Sequence, residues 1–73
     1  MAKLPDRIGA TIRATREQAG LSREHLAYHA GVSTAMITRL ENYDQLPKAV
    51  ALARIVNELG LSLDDLLADQ VAS

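Results

Sequence analysis

The stretch that most constrains this chain is HAGVSTAMITRLEN, residues 29 to 42. Gly31 and Val32 separate two helical patterns, and Ser33 stands where the second would begin. Gly31 suits a corner whose backbone needs a positive φ, a region that glycine enters freely. Ser33 suits an N-cap, its hydroxyl accepting an N–H of the first turn. The connection from Ala30 to Ser33 is so short that the two helices must cross steeply, in a helix-turn-helix arrangement. Val32 is expected to plug the corner against the core.

Around this corner the sequence reads as five short helices. Strands are not expected, because β-branched runs of period two are missing. The first helix begins at Pro5, a favoured first-turn residue. It turns Ile8, Ile12, Arg16 and Ala19 wholly or half inward, and Gly20 ends it. Ser22 caps the second, with Glu24 in its first turn and Leu26, Ala27 and Ala30 as its packing face. Ser33 caps the third, which runs to about Asn42. Pro47 opens the fourth, whose stripe is Leu52, Ile55, Val56 and Leu59, and Gly60 stops it. Ser62 caps the fifth, with Asp65 in a capping-box position and Leu63, Leu66 and Leu67 as its contacts.

The 73 residues leave room for one small core. Residues 1–73 are therefore read as a single all-α domain, a compact five-helix bundle. There is no cysteine, hence no disulfide framework and no thiolate zinc site. The start MAKLPDRIGA has no apolar signal core, and no apolar run approaches a membrane span. A cytoplasmic protein with no membrane partner is expected.

The third helix carries an unusual face. At about 100° per residue, Met36, Ile37 and Leu40 share one apolar arc. Thr34, Ala35, Thr38, Arg39 and Asn42 share the opposite one, and Glu41 lies at its edge. A helix in the DNA major groove needs small or hydrogen-bonding side chains, no carboxylates, and methyls to meet thymine. A solvated face that merely lacks acids fits the pattern equally well. The formal net charge of −1 argues against a nucleic-acid partner. The distribution says more: residues 1–40 carry six Lys and Arg against three acids, and residues 41–73 carry two against six. That gives the chain a modestly basic half, although ordinary solvated helix faces give the same distribution.

Other chemistry is thinly represented. His25 and His29 are spaced to share a helix face, but Leu26 stands where a metalloprotease helix carries Glu, and no third ligand is evident. They are read as surface histidines, with Tyr28 exposed between them. No nucleophile–base set or phosphate-cradling loop is present, so neither an enzyme nor a cofactor is expected.

The run IGATIRATREQAGLSREHLAYHAGVSTAMITRLEN, then Pro47, then LARIVNELGLSLDDLL, resembles the phage-repressor/Cro-like (XRE) helix-turn-helix family, the lambda-repressor-like DNA-binding domains. The resemblance covers roughly residues 8 to 67. It rests on the LSxxxLA stretch, the GVS corner, the Glu near the end of the third helix and the LGLSLDDLL close, found together. It implies a sequence-specific transcriptional regulator, expected to be a repressor, that binds double-stranded DNA as a homodimer. Dimerisation is expected to come from this domain, through its acidic C-terminal half. A protein-interaction module of the same fold, antitoxin-like or a complex subunit, is the alternative, favoured by the near-neutral charge and the acidic loop at Asp44.

Roles then follow by position. Thr34, Ala35, Thr38 and Arg39 stand where the family reads bases. Ala35 and the Thr methyls can meet thymine, and Arg39 alone can fork onto guanine. Ser22, Arg23, Asn42 and Lys48 match phosphate-contacting positions, with Arg23 in place of the usual Gln. Arg16 and Glu41 match an internal salt bridge. The family commonly has Gly where this chain has Tyr43, so the third helix is expected to end differently here. Asp44 replaces a residue that is often basic, and Lys48 replaces a frequent Ser or Thr cap.

Overall fold

The computed structural model describes residues 8–64 and Leu66. These form four helices: α1 (Ile8–Gln18), α2 (Arg23–Ala30), α3 (Thr34–Tyr43) and α4 (Ala49–Glu58). The expected count of five is not matched. Beyond α4 the Leu66 N–H donates to the Ser62 carbonyl at 3.1 Å, closing one helical turn. Asp65 and Leu67, assigned to the fifth helix, lie outside the described residues, as does Pro5 at the expected start of the first.

Local chemistry sets the helix ends. The Ser22 hydroxyl accepts from the His25 N–H at 3.0 Å, and the Ser33 hydroxyl from the Met36 N–H at 3.1 Å. Each cap satisfies one of the orphan donors of a first turn. Gly31 closes α2 in the left-handed region, φ 72°. Its N–H donates to the Tyr28 carbonyl, and the Val32 N–H donates to Ala27. That pattern absorbs the last carbonyls of α2 and turns the chain into α3.

Two boundaries differ from the sequence reading. Ala19 lies beyond α1 and is exposed, because the chain already turns toward Gly20 there. Pro47 does not open α4; Lys48 is its N-cap residue, with extended backbone and no side-chain cap bond.

The core is one cluster, with Ile12, Leu26, Ile37, Leu40, Ile55 and Val56 fully buried and Ile8, Ala27, Ala30, Leu52 and Leu66 around them. Each fully buried aliphatic side chain contributes about 1.5–3 kcal/mol by leaving water. Val32 and Met36 pack against this cluster half-buried, so Val32 does plug the corner. α3 packs against both α1 and α2, and α4 packs against α2. The third helix is thus clamped along one side, with its other side open. No helix among the described residues is long and apolar enough to cross a membrane.

Candidate nucleic-acid interface

The open side of α3 is the arc picked out in the sequence. Ile37 and Leu40 are buried beneath it. Ala35, Arg39 and Asn42 are exposed on the opposite side, and Thr34 and Thr38 are half-exposed. Among the described residues the Arg39 guanidinium makes no side-chain hydrogen bond or ion pair, so its fork is available to a ligand. Ser33 caps the helix beside Thr34, which fixes the first turn of this face.

Behind that face sits a charged cluster that holds α3 in place. Arg16 of α1 donates from Nε to Glu41 Oε2 at 2.7 Å and from Nη2 to Glu41 Oε1 at 3.1 Å, a bidentate fork. Its Nη1 donates to the Leu21 carbonyl at 2.7 Å, which ties the fork to the turn after α1. The Glu41 side chain is completely buried. Burial pushes its carboxyl toward the neutral form, but the hydrogen bonds and charges of Arg16 and Arg23 outweigh this and hold it below the usual carboxylate range. The hydrogen bond to Glu41 likewise holds the Arg16 guanidinium above its ordinary value, against the opposing effect of burial.

Arg23 is the residue whose surroundings the sequence did not disclose. Its Nε donates to Glu41 Oε1 at 3.0 Å, and its Nη2 approaches Asn42 Oδ1 at 3.5 Å. Two of the four positions matched to phosphate contacts, Arg23 and Asn42, therefore meet each other, and Arg23 also meets the buried acid. Ser22 is exposed next to Arg23 as the cap of α2. Lys48 stands apart, exposed at the head of α4, with no side-chain bond to the cluster.

Asp44 also changes meaning. It is the one non-glycine residue with positive φ among those described, at 56°, and it ends α3 in the left-handed conformation. Tyr43 remains helical and 75% exposed, so α3 closes one residue later than a Gly at 43 would close it. The Asp44 carboxylate accepts from the Gly9 N–H at 2.9 Å, at the N-terminal end of α1, where a negative charge is favoured. Its acid is engaged internally rather than facing a partner bare. Gly9 itself lies so close to α3 that a Cβ there would drive into the Leu40 carbonyl oxygen. An isolated glycine inside a helical pattern was the only signal of that contact available in the sequence.

On the far side of α2, His25 and His29 stack with ring centroids 4.4 Å apart, and Tyr28 meets His29 edge-on at 5.2 Å. No group of three or more His, Cys, Asp or Glu among the described residues is arranged to hold a metal ion.

A short corner, two serine-capped helices and an acid-free outer arc form the geometry of a helix-turn-helix. Comparison with curated proteins gives no match. The family model described as "Helix-turn-helix domain" matches residues 7–70. That match takes in most of the chain, which belongs to the helix-turn-helix domain family.

Proposed function

We propose that this chain is a sequence-specific DNA-binding transcriptional regulator, most simply a repressor, of the phage-repressor/Cro-like kind. The observation that carries the reading is the outer side of α3. It presents Thr34, Ala35, Thr38 and Arg39 without a carboxylate, on a helix clamped from behind by α1 and α2. In this reading α3 enters the major groove, Arg39 forks onto a guanine, and the small side chains meet thymine methyls and polar base edges. Ser22, Arg23, Asn42 and Lys48 contact phosphates and set the register. Two copies place their α3 helices about 34 Å apart on half-sites one helical turn apart. The role is binding, not catalysis, and it belongs to the cytoplasm, where duplex DNA is in reach.

A second reading is a protein-interaction module of the same fold. The exposed apolar side chains of Tyr43, Leu46 and Val50, close in sequence from the end of α3 to the start of α4, favour it. Salt separates the two. With Arg23 and Lys48 as the charged phosphate contacts, log affinity should fall against log salt with a slope of about −2 per copy. Electrophoretic mobility on a randomised duplex pool, run from low to high salt, measures this. Unchanged mobility at the lowest salt removes the DNA reading and leaves the protein partner.

A further inference from the structure

The Glu41 carboxylate has more positive charge around it than its own neutrality requires. Arg16 alone supplies a bidentate partner and a full counter-charge. Arg23 adds a third hydrogen bond, from Nε to Oε1 at 3.0 Å, and a second positive charge. Glu17, more than half exposed, also approaches Arg16 Nη2 at 3.8 Å, so the second positive charge at Glu41 itself is the one Arg23 supplies, on the more exposed guanidinium. The Arg23 side chain keeps 32% of its surface, against 9% for Arg16 and none for Glu41.

A guanidinium has five N–H donors in a planar fork. Arg23 spends Nε on Glu41 and one Nη2 hydrogen toward Asn42 Oδ1. The two Nη1 hydrogens and the second Nη2 hydrogen have no partner among the described residues. With one edge of the plane fixed against α3, the remaining edge is held at a set orientation instead of sweeping through solvent. Fixing that plane in advance removes rotamer freedom that a phosphate contact would otherwise have to restrict.

We propose that Glu41 and Asn42 are positioning residues for Arg23: they aim its guanidinium from α3, so that the phosphate grip of α2 and the placement of the recognition helix are one rigid unit. Asn42 then acts on DNA through Arg23, not through a phosphate contact of its own. This rests on the DNA-binding reading above and revises one role within it. The sequence offers no sign of the coupling, since residues 23 and 42 are far apart along the chain and position alone gives each its own contact.

The coupling is testable by a double-mutant cycle on duplex affinity, with Arg23→Ala, Asn42→Ala and the pair, and with Arg23→Lys as the charge-preserving variant. Asn42 is exposed and Glu41 keeps Arg16, so thermal melting confirms folding of each protein. Arg23→Ala should weaken binding about tenfold, the size of one charge-assisted hydrogen bond. Asn42→Ala should weaken the wild type about threefold, the low end for one hydrogen bond, as its 3.5 Å length suits, and leave the Arg23→Ala protein unchanged. Arg23→Lys keeps the charge but lacks the fork, and should bind nearer to Arg23→Ala than to wild type. Additive losses, or full rescue by lysine, overturn the positioning role while DNA binding stands. Absence of duplex binding by the wild type itself overturns the DNA reading, and this role with it.

Discussion

A carboxylate with no exposed surface, such as that of Glu41, stays ionised only where its partners offset the loss of water. Arg16 and Arg23 do so with three hydrogen bonds at 2.7, 3.1 and 3.0 Å. Removing the acid strands two cations at the junction of α1, α2 and α3, one of them buried. Glu41→Ala should therefore cost about 3–5 kcal/mol and lower duplex affinity along with stability. Unchanged melting would show that the cluster holds nothing. The pH dependence follows from the same site. The folded state holds the Glu41 carboxyl below the value of an unperturbed glutamate, which is about 4.3. Its contribution is therefore present in full above the unfolded value and is lost as pH falls through the folded one. Denaturant midpoints of the wild type should fall on the acid side of that value. The Glu41 carboxyl carbon, followed by NMR, should titrate below it, and a titration at or above it would mean that the arginines do not outweigh burial.

Among the elements, α1 approaches α3 closely at Gly9, a contact with a decisive sign. An alanine in a helix interior is ordinarily better than glycine by about 1 kcal/mol. At position 9 the new methyl would meet the Leu40 carbonyl oxygen and crowd the Asp44 carboxylate. Backbone cannot step aside as a flexible side chain can, so α1 must lift from α3. Gly9→Ala should destabilise by about 1–3 kcal/mol, a melting decrease of about 4–8 °C for each kcal/mol. A raised melting temperature would mean that the helices are not in contact there. The elements that were legible in the sequence are those whose cause is local: Ser22 and Ser33 as caps, Gly31 as the corner, and the apolar arc of Ile37 and Leu40. The features that were not legible depend on a second element. The end of α3 at Asp44 depends on the Gly9 N–H of α1. The inward turn of Arg23 depends on an acid two helix-turns along α3. The start of α4 at Ala49 rather than Pro47 is a matter of how the preceding loop, residues 44–48, is drawn out before the helix begins.

At the scale of the whole molecule, charge and shape divide the described residues into a side that holds α3 and a side that leaves its outer arc open. The internal salt-bridge network occupies Arg16, Arg23 and Glu41, and Asp44 is turned to α1, so neither acid presents a bare carboxylate beside the outer arc of α3. The base-reading assignment in the sequence rested on position and residue type. The structure adds that Ala35 and Arg39 are exposed while Thr34 and Thr38 are half-exposed, an arrangement in which only one side chain is long enough to reach past the others. Direct readout in the proposed complex therefore concentrates on Arg39, with the shape of the duplex and bridging water carrying the remaining preference. Among the described residues Arg39 has no internal hydrogen bond or ion pair, so its removal should leave melting unchanged. Arg39→Ala should relax preference at a single guanine by about 1–3 kcal/mol and leave the rest of the selected site intact. Selection of bound sequences from a randomised duplex pool, run for wild type and variant side by side, reads this directly. A uniform loss across all positions would instead assign Arg39 to the phosphates. The information content of the site would then have to come from the threonines and the deformability of the DNA.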